Sequence, residues 1–373
     1  MNILWMTWKD LSHPLAGGAE TVNEELAARL AVDGHAVRFI VGAYPNAVTS
    51  EERNGFEIIR LGGRFSVYWK AYRYYKQHLR GWADLVIDEV NTIPFFARWY
   101  VKERNIIFIH QLAREIWFYQ MPFPLSVIGY LAEPIYLRAL RKSDVITVSQ
   151  SSKADLVRYG FDPARIHVIS EGIRMQPLPD LEHIEKYPQP TVLALGSVRA
   201  MKRTLHVLEA FERAKAVLPD LRLIIAGDDN NAYGLKLRAR AAASKYADAI
   251  RILGKVNTDT RAELMQKSHL LAVTSVREGW GLVVTEAASQ GTPAVVYDVP
   301  GLRDSVRHNE TGVVCERNRP DVLAGNIVSL LQDRTRYERL RQNAWKWSKE
   351  VTFERSYEDF CIAIKKAVNS YCS

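Results

Sequence analysis

Short apolar runs rich in β-branched residues alternate with longer stretches whose apolar positions return every three or four residues, and this alternation persists along the chain. The runs at 2–6, 37–41, 85–87, 106–109, 145–148 and 167–169 predict strands, with helices between them. A second series follows at 191–195, 221–226, 250–253, 270–273 and 294–297. Strand–helix alternation of this kind predicts α/β architecture: parallel, doubly wound sheets covered on both faces by crossover helices. It occurs twice, so two Rossmann-like domains in series are expected, with ligands at the carboxyl ends of the strands.

The stretch 175–190 holds Pro177, Pro179, Pro188 and Pro190 among charged residues without a clear period, and reads as a linker. The expected division is therefore 1–174, a first Rossmann-like domain; 175–190, a linker; 191–350, a second Rossmann-like domain; and 351–373, a helix returning to the first domain. From Arg334 the chain is helical in pattern and rich in basic and aromatic residues, with Trp345, Trp347, Phe353, Tyr357 and Phe360.

Length and charge narrow the picture. At 373 residues the chain is too long for one ordinary core. Fifty Lys and Arg against forty-two Asp and Glu give +8, which favours anionic partners without naming one. Cys315, Cys361 and Cys372 form an odd set without metal-ligand spacing, so a disulfide framework and a zinc site are not expected and a reducing cytoplasm fits. The first ten residues lack the features of a secretory signal. The longest uncharged window, 17 residues from 116 to 132, is interrupted by Pro122 and Pro124 and falls short of a membrane span.

Three segments carry candidate chemistry, and each follows a strand. Gly17 and Gly18 precede a helix and let a backbone approach an anion at its N-terminus, although a glycine-eased turn has the same appearance. The pattern is not Gly-x-Gly-x-x-Gly, which argues against a nicotinamide site. Arg199, Lys202 and Arg203 open a helix after the run 191–195; such cations neutralise a diphosphate, or form a solvated basic turn. After 270–273 come Glu278, Gly279, Trp280, Gly281, Leu282 and Glu286. The two glutamates are eight apart, one in the loop and one inside a helix beginning near Gly281, and can face one cavity; an exposed helical residue and a loop charge would read alike.

The segment from Glu278 to Glu286 resembles the Glu-x7-Glu motif of the retaining glycosyltransferases of family 4, which have the GT-B fold of two Rossmann-like domains facing across a cleft. Similar matches run through nearly the whole chain: Gly17-Gly18-Ala19-Glu20, Gly34-His35, His110, Val148-Ser149, Lys202 six residues after Gly196, Gly291-Thr292-Pro293 and Gly301. Departures are Ser197 where many members have arginine, Glu171-Gly172 in place of a common Asn-Gly, and Trp280 in place of a frequent phenylalanine.

The resemblance implies a hexosyltransferase that moves a sugar from a nucleotide-diphosphate sugar, a UDP- or GDP-sugar as co-substrate, to a glycan, lipid-linked or other hydroxyl acceptor, with retention and without a metal or cofactor. Asp228-Asp229-Asn230 lacks the Asp-x-Asp spacing of metal-dependent transferases. By the same resemblance, Arg199 and Lys202 would bind the diphosphate with backbone N–H groups at Gly281 and Leu282. Glu286 would hold the ribose and Glu278 the donor sugar, beside Gly279 and Trp280. Gly254, Lys255 and Val256 would frame the base, His110 would lie near the anomeric centre, and Gly17 and Gly18 would close on phosphate or acceptor. A histidine hydrogen-bonded at a strand end is the bland reading of His110.

Arg60, Arg64, Lys70, Arg73, Lys76 and Arg80 are six basic residues in a segment without an acid, interleaved with aromatics such as Tyr68, Trp69, Tyr72, Tyr75 and Trp82. With the uncharged stretch Ile116 to Leu131, the segment Arg60 to Trp82 offers a surface for an anionic membrane and hence a peripheral location on its inner face. The alternative is a buried tyrosine stripe with a solvated cationic face and a buried helical pair. A soluble small-molecule acceptor, a non-catalytic nucleotide-sugar binder and a single-strand nucleic-acid binder are the competing functions; no nucleic-acid module is present. Through Gly172 there are twenty basic and eighteen acidic residues, and thirty and twenty-four after it, so most of the positive excess falls in the half expected to take the diphosphate.

Overall fold

The computed structural model of the protein describes residues 1–369; Cys372 lies outside them. The chain forms two units, one of Met1–Gly172 together with the segment from Phe353 onward, the other of Ile173–Thr352.

The first unit runs β1 (Asn2–Met6), α1 (Gly18–Val32), β2 (Ala36–Val41), β3 (Ser50–Arg53), β4 (Phe56–Arg60), α2 (Val67–Tyr74), β5 (Leu85–Glu89), β6 (Arg104–Ile109), α3 (Trp117–Gln120), α4 (Leu125–Leu140), β7 (Val145–Thr147), α5 (Gln150–Arg158) and β8 (Ile166–Val168). Its strands order as β3-β4-β2-β1-β5-β6-β7-β8. All pairings are parallel except β3 with β4, a hairpin closed by Asn54 and Gly55 at φ 50° and 82°. Two successive positive φ values are what a two-residue hairpin turn demands, and Asn-Gly supplies them.

The second unit runs β9 (Thr191–Leu195), α6 (Thr204–Lys215), β10 (Arg222–Ala226), α7 (Ala232–Ala242), β11 (Ile250–Ile252), α8 (Thr258–Lys267), β12 (Leu270–Val273), α9 (Leu282–Ser289), β13 (Ala294–Val296), β14 (Gly312–Val314), α10 (Pro320–Gln332) and α11 (Arg334–Ser348). Its parallel sheet orders as β11-β10-β9-β12-β13-β14. In each sheet the chain winds outward on one side of its first strand and then resumes on the other. This puts a switch point between β1 and β5, and another between β9 and β12, where loops diverge and leave a crevice.

The basic, aromatic end of the sequence is two helices, not one. α11 belongs to the second unit, and α12 (Phe353–Asn369) returns to the first. Alternation along β1 explains what α12 covers. Leu4 and Met6 pack on the α2 side with Val67, Ala71 and Tyr75, while Trp5 points to the other face, touches Phe39 and Phe108, and stacks on Phe360 of α12 at 5.7 Å. Gly172 lies so close to Phe353 that a Cβ there would meet its backbone at 2.5 Å, so the two crossings of the chain run side by side.

The stretch 175–190 is not a free linker. Leu178 N–H donates to Ser289 O (3.0 Å) and Leu178 O accepts from Trp345 Nε1 (2.8 Å). Half-buried Lys186 donates to Ser268 O, Gly291 O and Thr292 Oγ1, each at 2.8 Å. The prolines bar regular structure, and side-chain anchoring replaces it, so the boundary falls at Gly172 instead. Among the described residues no helix is long and apolar enough to cross a membrane.

The segment expected to face lipid is divided by burial. Arg60 is fully buried and paired with Asp10 and Glu51, and Tyr75 is in the core beside Val67 and Ala71, with Tyr68 packed on Phe95. Ile116 and Trp117 are buried as well. None of these can meet a membrane.

Candidate functional site

At the switch point of the second sheet the loops after β9 and β12 are stitched together. Val276 N–H donates to Met201 O (2.8 Å), and Thr274 Oγ1 reaches Lys202 O and Arg203 O at 2.9 and 3.0 Å. Arg203 has φ 50°, which turns the chain sharply into α6. The result sets the Lys202 ammonium against the Glu278 carboxylate as an ion pair. Ser275 Oγ donates to the same carboxylate oxygen at 2.5 Å. Glu278 is fixed from behind: its N–H donates to Pro300 O (3.1 Å), and Gly301, at φ 82°, approaches so closely that a Cβ would stand 2.4 Å from Glu278 O. No other residue fits there.

Gly281, at φ 102°, caps α9, a conformation that only glycine adopts easily. In the first turn of α9 Val284 N–H donates to Gly281 O (2.8 Å), while the N–H groups of Leu282 and Val283 stand ahead of the helical ladder and give that end partial positive charge. Glu286, one turn in, is paired with Arg261 of α8. Burial pushes the Glu286 carboxyl upward and Arg261 opposes this.

Lys202 and Glu278 are thus brought together, with Gly279, Trp280, Gly281 and Leu282 on the same loop and helix start. Trp280 packs its ring against Trp347 at 6.2 Å. Arg199 is exposed at the mouth of the β9 loop, and Lys202 N–H donates to its carbonyl at 2.8 Å. Gly254, Lys255 and Val256 follow β11, two strands from β9, with Gly254 O accepting from Gly227 N–H (2.8 Å). Asp229 is committed to Arg238 and Asp228 caps Asn230 N–H (3.1 Å).

In the first unit the corresponding edge carries a buried polar cluster. His110, just past β6, is almost wholly covered; its Nδ1 lies 3.3 Å from Glu171 and its Nε2 3.1 Å from Asn23 Oδ1. Asn23 Nδ2 and Trp5 Nε1 both donate to Glu89 Oε2, at 2.5 and 3.2 Å. Because the Asn23 amide donates to Glu89, its oxygen faces His110 and calls for a proton on Nε2. Burial alone would lower the His110 pKa, but the Glu171 hydrogen bond and the fields of Glu89, Glu171 and Glu20 outweigh it, and the value rises. Burial pushes Glu89 up to about 7.

Gly17 and Gly18 start α1 as expected, but the position for an anion is taken by the protein's own Glu20, which accepts from Gly17 N–H at 2.6 Å and pairs with Lys9 at 3.0 Å. Glu20, three residues after Gly17, thus makes the one half of a capping box that a glycine at the N-cap allows. Arg261, Asn23 and Glu89 were not among the residues expected to matter. Glu89 had a readable mark, an acid ending an apolar run; Arg261 had none.

Known proteins bear on this geometry. A family model described as Glycosyltransferase Family 4 matches residues 16–176, and one described as Glycosyl transferases group 1 matches 182–347. A D-inositol 3-phosphate glycosyltransferase of Jonesia denitrificans is 26% identical over 56% of this chain, which spans about half (53%) of that relative's length. The N-acetyl-alpha-D-glucosaminyl L-malate synthase of Bacillus anthracis is 22% identical over 92% of this chain and 91% of its own. Among solved structures, the sucrose-phosphate synthase of Thermosynechococcus elongatus superposes with a TM-score of 0.80 at 21% identity, covering 99% of both chains. Anabaena HepE in complex with UDP and glucose gives 0.71 at 17%, covering 98% of this chain and all of its own. At such identity these structures speak for the fold, which is GT-B.

Proposed function

The chain belongs to the family 4 glycosyltransferases, and on that premise we propose that it transfers a sugar from a nucleoside-diphosphate donor to a hydroxyl acceptor, with the anomeric configuration retained. The observation that carries this reading is the Lys202–Glu278 pair at the second sheet's switch point, beside the first turn of α9.

A diphosphate arriving there offers Lys202 a stronger anionic partner than one carboxylate, and Arg199 is free to swing from the loop mouth toward it. Lys202 exchanges Glu278 for phosphate, and Glu278 is released to accept from the sugar's hydroxyls. Glu286, whose carboxyl pKa burial raises and Arg261 opposes, accepts from the ribose hydroxyls. As the glycosidic bond breaks, negative charge builds on the leaving diphosphate, and preorganised cations and helix N–H groups stabilise it without solvent having to reorganise. Charge neutralisation by side chains and the α9 dipole makes a metal unnecessary in this scheme.

The acceptor enters through the first unit, where His110 and the start of α1 stand at the carboxyl edge. The UDP and glucose of the Anabaena complex favour a UDP-sugar among the donors. Cys315 and Cys361 are free thiols, which suits a reducing cytoplasm.

A panel of UDP-, GDP- and ADP-sugars tests this by binding and by slow hydrolysis. One donor is expected to bind and turn over, equally well with and without EDTA. Absence of binding by every donor would sink the reading, and a strict requirement for a divalent ion would sink its metal-free form.

A further inference from the structure

α4 is apolar around most of its circumference. Gly129, Tyr136, Leu137 and Leu140 turn inward, while Leu125, Ile128, Leu131 and Ile135 are exposed, Ile135 by 70%. At about 100° per residue these four fall within about one third of the helix circumference. A helix apolar on both sides is ordinarily covered on both. The exposed stripe continues through Phe123, 83% exposed, to Phe118 and Tyr119 at α3. Arg64 Nη2 reaches Met121 Sδ at 3.3 Å, and beyond that contact Phe65 and Trp69 are exposed too.

This outer face is held firmly. A Cβ on Gly129 would lie 2.2 Å from the Trp117 ring, so only glycine lets α3 settle onto α4. The Glu133 carboxylate, buried on the inner side, accepts from Ala113 N–H (2.7 Å), Arg114 N–H (2.6 Å) and Trp117 Nε1 (3.0 Å). Burying that one acid also removes its charge from the surface. Between 116 and 142 the exposed lysines and arginines are Arg138, Arg141 and Lys142; between 61 and 83 they are Arg64, Lys70, Arg73, Lys76 and Arg80, with His78 exposed beside them. Neither segment exposes a carboxylate, and the exposed acids nearest in sequence, Asp84 and Glu115, each lie one residue outside.

We propose that this face docks the protein on an anionic lipid bilayer, with α4 lying in the interfacial plane, its apolar stripe among the acyl chains and the flanking cations on the headgroups. Apolar area plus positive charge is the combination such surfaces select. The position suits the transfer reaction. β4 and β6 lead from the carboxyl edge of the first sheet into the loops carrying Arg64 and α3, and Arg64 stands 5.1 Å over Trp8, which follows β1. A lipid-linked acceptor would therefore emerge beside the edge that holds His110. That last step rests on the proposed function; the docking does not.

Cosedimentation of the full chain with phosphatidylglycerol–phosphatidylcholine vesicles tests the docking, with pure phosphatidylcholine as the control. Binding is expected to the anionic vesicles and to weaken in high salt. A triple variant, Phe123→Ser, Leu131→Ser and Ile135→Ser, changes only exposed side chains and should keep the wild-type circular dichroism while binding about tenfold more weakly or worse. Arg138→Gln and Lys142→Gln should each cost about fivefold. Failure of the wild type to sediment with anionic vesicles at low salt overturns the proposal, as does equal binding by the triple variant. A dimer that the triple variant abolishes, without vesicle binding, overturns it in favour of a second copy on this face. Donor hydrolysis measured without lipid should be the same in wild type and triple variant, and its absence from both would count against the proposed function alone.

Discussion

Both sheets are doubly wound and reverse strand order beside their first strand, yet they equip their carboxyl edges in opposite ways. In the second unit the charged groups stand partly exposed in simple pairs, Lys202 with Glu278 and Arg261 with Glu286. In the first, His110, Asn23 and Glu89 are buried and bound to one another, and Glu20 caps its own helix. A pair at the rim can trade one partner for a ligand at little cost, because water covers the exchange. A buried network cannot, since each group left unpaired carries its full desolvation penalty. The second unit is therefore suited to binding and releasing an anion, and the first to holding a fixed shape.

The largest test of that contrast concerns what seals the first unit. Phe360→Ala removes the ring stacked on Trp5 and should cost about 3–5 kcal/mol. Hydrogen exchange should show protection lost across 1–172 and kept across 173–352; equal loss in both would mean the units do not differ in this way. Next, Lys202→Ala and Glu286→Ala should each lower donor turnover by about 10²–10³-fold, roughly 3 kcal/mol, with unfolding midpoints little changed. Near-normal turnover in both would remove the exchangeable pairs from the mechanism.

The smallest effect is the pH dependence that Glu89 brings to the first unit. The folded protein holds a proton on Glu89 up to about 7, whereas the unfolded chain releases it near the ordinary 4.5. The stability this proton brings is full below 4.5 and is lost as pH climbs toward about 7. His110, raised by its carboxylate neighbours, acts in the same direction, its contribution falling away as pH rises through its folded value. Urea midpoints of the wild type should thus decline over this range more steeply than those of Glu89→Gln. Parallel curves would show that Glu89 is already ionised in the fold.

Central strands were readable in the sequence because burial on both faces leaves an uninterrupted apolar run: 2–6, 191–195 and 270–273 match β1, β9 and β12. Of the edge strands, β8 and β11 were readable as apolar runs at 167–169 and 250–253, but β3 and β14 were not. β3 reads Ser-Glu-Glu-Arg and owes its existence to pairing with β4, although Asn54-Gly55 marked the hairpin. The two loops carrying Lys202 and Glu278 were legible for a similar reason, since strand-to-helix turns at a switch point leave a local pattern. Arg261 was not, because one arginine on an amphipathic helix looks solvated until α9 is set beside it. Arg60 was misread as lipid-facing because its partner Asp10 lies 50 residues away, and burial of a charge depends on that distant partner.

The neighbouring passages of the chain at Gly172 and Phe353 also bear on how the protein is made. The whole second unit lies between them in the covalent sequence, so during synthesis it leaves the ribosome before α12 does. Its strands are all contained in 173–352, and it can complete its sheet while the first unit still waits with Trp5, Phe39 and Phe108 lacking the Phe360 ring. The nascent chain can therefore close the later half before the first unit is sealed. A fragment ending at Gly172 would keep that aromatic face open to chaperones and to other chains for good.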